Sequence, residues 1–200
     1  MDRTLVLASA SPRRKSLLKM LDVDFQVHHA DIDESIIESE MPDVYVARLA
    51  KAKAEAVHSD LVRQYERLIV LGSDTTVVAE GSILGKPESF EDACRMLSML
   101  SGVWHDVYTA VCVLDCARSE QVIVQSRVKF RPVSRQDMSW YWNTGEPADK
   151  AGAYGIQGHG GVFVERIDGS YSSIVGLPLC ETSMLLNKFG IKMGSMNHHE

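Results

Sequence analysis

Residues 68–78 read LIVLGSDTTVV. Leu68 to Leu71 form an unbroken aliphatic run, and a short run of this kind closed by turn formers reads as a buried strand. Gly72 and Ser73 close it and place Asp74 at its carboxyl end, where open α/β sheets hold ligands. Thr75 to Ala79 is a second extended piece, turned back at Glu80-Gly81 onto Ser82 to Leu84 as a hairpin. Working outward from this centre, helix and strand signals alternate. That alternation predicts a mixed α/β fold.

Toward the N-terminus, residues 43–59 are helical. Residues 5–18, LVLASASPRRKSLL, predict a strand over Leu5–Ala8 and a helix from Pro12 to about Leu21, with Ser11 as N-cap. Residues 25–28 make a further strand. Toward the C-terminus, Ser89-Phe90-Glu91-Asp92 opens a helix that Gly102 ends. Strands follow over 108–114 and 121–130, and a short helix starts at the Ser134–Asp137 cap and stops near Gly145. The stretch GVFVERIDGSYSSIVG (161–176) reads as a hairpin, and Pro178 begins a last helix reaching about Phe189. We expect residues 1–190 to form one domain and residues 191–200 to be a disordered tail. No repeat or linker divides the chain.

The 200 residues carry a net charge of −6. A nucleic-acid coat needs a basic excess, so no nucleic-acid partner is expected and any anion site must be local. No apolar run reaches the length of about 20 residues that spans a membrane, and a cytoplasmic location is expected. The four cysteines, Cys94, Cys112, Cys116 and Cys180, show no CxxC pair and no zinc spacing, and read as buried free thiols.

Several charges do not fit a plain fold. Arg13 and Arg14 occupy the first turn of a helix, where the dipole favours anions, so they weaken it unless a negative group meets them. Lys53 falls within the apolar face of the helix over 43–59. It is either a snorkelling side chain or an ammonium directed at a phosphate or carboxylate. Asp74 is either a ligand-side acid or a turn residue bonding its own backbone. Asp31, Asp33 and Glu34 are either a solvated loop or oxygen ligands for a hard cation such as Mg2+. Lys86 precedes a proline in an extended turn. DKAGAYGIQGHGG (149–161) is glycine-rich around Lys150, Tyr154 and Gln157, but fits no phosphate-loop pattern and reads as a flexible loop. Together these residues describe an acidic protein that concentrates cations beside carboxylates, an arrangement suited to a polyphosphate with a metal ion.

LASASPRRKSLL, ARLAKAKAEAV, VLGSDTTVV, LGKP, MLSMLSG, DKAGAYGIQG and GSYSSIVGLPLCET, in this order from Leu5 to Phe189, together resemble the Maf family of nucleotide pyrophosphatases. The resemblance implies an elongated mixed β-sheet flanked by helices, in two lobes around a cleft, as in the inosine triphosphate pyrophosphatases. It also implies hydrolysis of a nucleoside triphosphate to monophosphate and pyrophosphate with Mg2+ or Mn2+, in a protein that is often a homodimer. On this resemblance Asp74 is the proton acceptor, while Ser9, Ser11, Arg14, Lys53 and Lys86 hold phosphate. Asp33 or Glu34 places the metal together with Asp74. The family has a dTTP/UTP branch and a 7-methyl-GTP branch, and Arg13, Thr75 and Gln157 match the first. Ser73 is a departure, since that branch often carries Ala there. A role in cell division or septum formation is the other expectation the family brings.

Overall fold

The computed structural model describes residues 3–29 and 31–194. Thirteen helices and strands run in the order β1 (Thr4–Ala8), α1 (Pro12–Lys19), β2 (Gln26–His28), α2 (Pro42–Leu61), β3 (Leu68–Ala79), β4 (Ser82–Leu84), α3 (Phe90–Leu100), β5 (Trp104–Leu114), β6 (Ser119–Phe130), α4 (Arg135–Trp142), β7 (Val164–Asp168), α5 (Tyr171–Val175) and α6 (Leu179–Lys188). Short 3-10 turns join α4 to β7. The expected tail lies outside the described residues from position 195 onward.

The seven strands make one mixed sheet in the order β2-β1-β3-β5-β6-β7, with β4 paired to β3. The family's mixed-sheet architecture is therefore present. β1 runs parallel to both β2 and β3, and its ladder with β3 ends at Ala8 opposite Gly72. β6 and β7 are antiparallel, with an irregularity between Lys129 and Phe130. By packing, the chain divides into two compact units, one of Met1–Asp74, Thr109–Val124 and Gly176–Glu200, the other of Thr75–Tyr108 and Gln125–Val175. The core of the second unit gathers Leu97, Leu100, Val128, Phe130, Tyr141 and Phe163, all but closed to solvent.

β3 differs from its reading in sequence. It continues unbroken through Gly72-Ser73-Asp74, so Asp74 lies inside a twelve-residue strand and not at its end. Gly72 is a close-approach residue here rather than a turn former. A Cβ at this position would stand 2.9 Å from the Ala54 backbone nitrogen and 3.0 Å from the Ala54 Cβ, so its absence lets α2 lie directly on β3. Asp74 nevertheless sits two residues past the last parallel rung with β1, so the carboxyl edge of that ladder is still where it projects. The β3–β4 turn is as expected, with Glu80 and Gly81 both left-handed at φ 50° and 75°, as a two-residue hairpin of this twist requires.

The stretch 161–176 is not a hairpin. Only Val164–Asp168 is extended, and its partner is β6. Gly169 turns the chain at φ 111°, and the Ser170 hydroxyl accepts from the Ser173 backbone N–H at 3.2 Å, starting α5 where a return strand was expected. Two of the four free cysteines are also not buried. Cys94 and Cys112 lie in the interior, whereas Cys116 in the β5–β6 turn and Cys180 in the first turn of α6 are exposed.

Candidate active site

The turn after β1 builds the first part of the site. Ser9 is 7% exposed. Its Oγ accepts from the Ser11 backbone N–H at 3.2 Å and from Arg14 Nη1 at 3.4 Å. Ser11 caps α1 as expected, its Oγ receiving the Arg14 N–H at 3.5 Å. Arg14 Nε donates to the Gly176 carbonyl at 3.0 Å, and Ser73 Oγ donates to the same oxygen at 3.0 Å. Burial pulls the Arg14 guanidinium below its ordinary value. Asp74 opposes that shift, Arg13 adds to it and Glu34 opposes it.

α2 supplies the second part. Val46, Leu49, Ala50, Ala54 and Val57 are buried, while Val44 is exposed, and Lys53 shares the buried face. It does not reach for water. Its Nζ lies 2.7 Å from Asp74 Oδ1 and 2.6 Å from Glu34 Oε1, with the Lys53 side chain 14% exposed. One ammonium thus ties a strand acid to a loop acid, and the snorkelling reading is set aside.

The loop carrying Glu34 is held in place by α2. Arg48 grips Glu40 with two bonds, Nε to Oε1 at 2.6 Å and Nη2 to Oε2 at 2.7 Å, and Nη2 also donates to the Ser35 carbonyl at 3.0 Å. Tyr45 donates its hydroxyl to the Glu34 carbonyl at 2.9 Å. Burial, then the charges of Asp74 and Glu34, push that phenol up to about 12, so it remains a donor. Asp33 closes a turn within this loop. Its Oδ1 accepts from the Ser35 N–H at 2.9 Å, and hydrogen bonds to Ser35 hold its carboxyl below the usual range.

The first unit therefore brings together Ser9, Ser11, Arg14, Lys53, Asp74 and Glu34. Arg13 is half-buried on the first turn of α1, and Thr75 is half-buried next to Asp74 in β3. Lys86, exposed just beyond β4, and Gln157, exposed in the glycine-rich stretch, belong to the second unit. Sequence reasoning missed Tyr45, the Arg48–Glu40 clasp and the Gly176 carbonyl. No signal in the sequence marks the close helix contact that delivers Lys53 to Asp74, since Gly72 at the end of an aliphatic run reads equally as a turn former.

These groups set the Arg14 guanidinium and the Lys53 ammonium near the Asp74 and Glu34 carboxylates in one unit, and the chain belongs to the Maf family. Residues 4–189 match the family described as Maf-like protein. The chain is 56% identical over 193 residues to the dTTP/UTP pyrophosphatase of Hahella chejuensis, covering 96% of each chain. It is 49% identical over 187 residues to the dTTP/UTP pyrophosphatase of Pseudoalteromonas atlantica, covering 94% of this chain and 97% of that one. For the dTTP/UTP pyrophosphatase of Vibrio vulnificus the values are 50% over 185 residues, 92% and 98%. Among solved structures, a nucleoside-triphosphatase described as a dITP/XTP pyrophosphatase from Mycobacterium abscessus gives a TM-score of 0.45 at 11% identity, over 65% of this chain and 75% of that one.

Proposed function

We propose that this protein hydrolyses dTTP and UTP to the monophosphate and pyrophosphate. The observation that carries the reading is the Lys53 ammonium bridging Asp74 and Glu34 in the same unit as Arg14, in a chain about half identical to dTTP/UTP pyrophosphatases along nearly its whole length. Asp74 accepts a proton from a water as its oxygen bonds to the α-phosphorus, and the bond from that phosphorus to the bridging oxygen of the pyrophosphate breaks. Arg14, with Ser9 and Ser11 around it, holds phosphate oxygens and takes up charge on the departing pyrophosphate. Lys53 orients Asp74, and Lys86 adds a further phosphate contact on the strength of the family resemblance. Arg13, Thr75 and Gln157 select the base, where a Gln157 amide offers both a donor and an acceptor to a neutral uracil edge.

The residues fit a divalent cation. Asp74 and Glu34 are hard oxygen donors kept near each other by the Lys53 ammonium that both of them meet, and a small hard cation such as Mg2+ is commonly held by one or two carboxylates plus substrate phosphates. Among the described residues no group of three His, Cys, Asp or Glu side chains could hold a metal. Substrate oxygens would therefore complete the shell, with Glu34 rather than Asp33 as the second carboxylate. When bound, the ion supplies neutralisation of the triphosphate charge. No helix among the described residues is long and apolar enough to cross a membrane; the family resemblance supports a cytoplasmic enzyme and a homodimer.

Pyrophosphate release from dTTP, UTP and 7-methyl-GTP with Mg2+ or Mn2+ tests the reading. The pyrimidine nucleotides should exceed 7-methyl-GTP by about 10,000-fold in kcat/KM, the scale of discrimination a hydrogen-bonding pocket reaches. Asp74→Asn should lower turnover by about 1,000-fold while UTP still binds. A preference for 7-methyl-GTP would overturn the substrate, and binding without hydrolysis in the unaltered protein would overturn the enzyme.

A further inference from the structure

The glycine-rich stretch 155–160 is not free to move, because two side chains upstream occupy the space beside it. Tyr141, fully buried in α4, donates its hydroxyl to Glu146 Oε1 at 2.7 Å and receives the Gly155 backbone N–H at 3.0 Å. The Glu146 carboxylate also accepts the backbone N–H of His159 at 2.7 Å and of Gly160 at 3.2 Å, and lies 3.1 Å from His159 Nδ1. Burial pushes the Glu146 carboxyl upward, but bonds from Tyr141, from both backbone amides and from the His159 ring outweigh that, and its value falls below the ordinary one.

These contacts account for the glycines. A Cβ at Gly158 would meet Glu146 Cδ at 2.5 Å, one at Gly160 would meet the Tyr141 hydroxyl oxygen at 2.6 Å, and one at Gly155 would meet Glu146 Oε1 at 3.1 Å. Each glycine is therefore a place where the backbone wraps closely around a carboxylate–phenol pair. Gln157 lies between two of them, exposed, with its backbone pinned on either side.

We propose that Glu146 is a positioning residue for base selection: with Tyr141 it fixes the turn that presents Gln157 to the pyrimidine. The proposal rests on the base-selecting role of Gln157 put forward above. A plain structural brace would lower turnover of every nucleotide alike, whereas a positioning residue changes the ratio between nucleotides, because a small displacement at a recognition group affects only the base it reads.

The test compares kcat/KM for UTP and for 7-methyl-GTP in the unaltered protein, Gln157→Ala, Glu146→Ala and the double variant. Glu146→Ala should lower the UTP preference by about tenfold, and should add little once Gln157 is gone, since residues acting through one another are not additive. Tyr141→Phe and Glu146→Gln repeat the comparison with smaller changes and serve if Glu146→Ala does not fold. In all three, amide hydrogen exchange should quicken at Gly155, His159 or Gly160 with the rest of the chain unchanged. If Glu146→Ala slows both nucleotides equally, or its effect multiplies that of Gln157→Ala, the proposal is overturned while the role of Gln157 stands. If Gln157→Ala leaves the ratio unaltered, the base-selecting reading itself fails and this one with it.

Discussion

Lys53 Nζ and Asp74 Oδ1 meet at 2.7 Å across a sequence separation of 21 residues, one on a helix and the other inside a strand. The meeting depends on Gly72, whose missing side chain lets the α2 backbone rest on β3 at Ala54, next to Lys53. The same ammonium holds Glu34, so removing it leaves two carboxylates facing each other with no cation between them. Lys53→Met keeps the apolar stem and deletes only the charge. We expect turnover of UTP to fall by about 100-fold or more, the usual scale for losing a group that orients a catalytic acid or base. Stability should fall by about 3 kcal/mol, because the Asp74 side chain is only 10% exposed and loses its ammonium, whereas Glu34, 45% exposed, remains solvated. Steady-state kinetics and urea unfolding of the one variant check both. Intact activity would make the pair a bond of the fold alone.

The Arg48–Glu40 clasp acts one step further out. Its two parallel bonds and the reach to the Ser35 carbonyl fasten the loop that delivers Glu34. Arg48→Ala should raise the divalent-ion concentration giving half-maximal activity several-fold, with kcat at saturating ion nearly kept. The Ser35 amide should exchange faster in the same variant with no ion present. Arg48→Lys should behave like the alanine variant, because an ammonium cannot span both carboxylate oxygens and the carbonyl in one plane. An unchanged ion requirement would remove Glu34 from the cation's shell.

Much of this architecture is legible in the amino-acid sequence, and the limits are physical. The Ser11 and Ser134 caps, the Gly81 turn and the buried face of α2 follow from local chemistry, and the structure has each of them. Lys53 stands out because periodicity makes a charge on an apolar face anomalous. Glu40 does not stand out. Its partner lies eight residues away across an irregular loop with no repeat to betray the contact. Gly72 misleads in a different way, since the composition Gly-Ser-Asp describes a turn as well as it describes a strand in close contact with a helix. The stretch 161–176 fails as a hairpin because Ser170 offers a helix cap to the chain just where a return strand would begin. Glu146 is hidden because the residues it shapes are glycines, which look alike whether they are mobile or tightly wrapped.

Ser73, the departure from the pyrimidine-branch pattern, has a local account. It is fully buried, and its hydroxyl shares the Gly176 carbonyl with Arg14 Nε. Ser73→Ala deletes one donor but leaves that carbonyl partnered, so no buried acceptor is orphaned. We expect a loss of about 1 kcal/mol, typical of one net hydrogen bond, and kinetics within about twofold of the unaltered protein. Chemical unfolding beside UTP turnover checks the pair of values. A loss above about 3 kcal/mol would mean that Ser73, not Arg14, anchors the segment at Gly176.

Acid stability depends on a histidine in the core of the second unit. His105 is 3% exposed, edge-on to Phe130 with ring centroids 5.0 Å apart, and its Nε2 lies 2.9 Å from the Tyr154 hydroxyl. Among the described residues its Nδ1 has no hydrogen-bond partner. Burial lowers its pKa from 6.5 to about 4, so the folded protein keeps the ring neutral where the unfolded chain protonates it. Stability from this residue is complete above pH 6.5 and drains away as pH falls from there toward 4, because in that window the unfolded state binds the extra proton. The loss amounts to at most about 3 kcal/mol. Urea unfolding at pH 7.5, 5.5 and 4.5 should show this decline, and His105→Gln, though less stable at pH 7.5, should show a flatter one. An equally steep decline in the variant would assign the acid sensitivity to other groups and leave His105 a packing residue only.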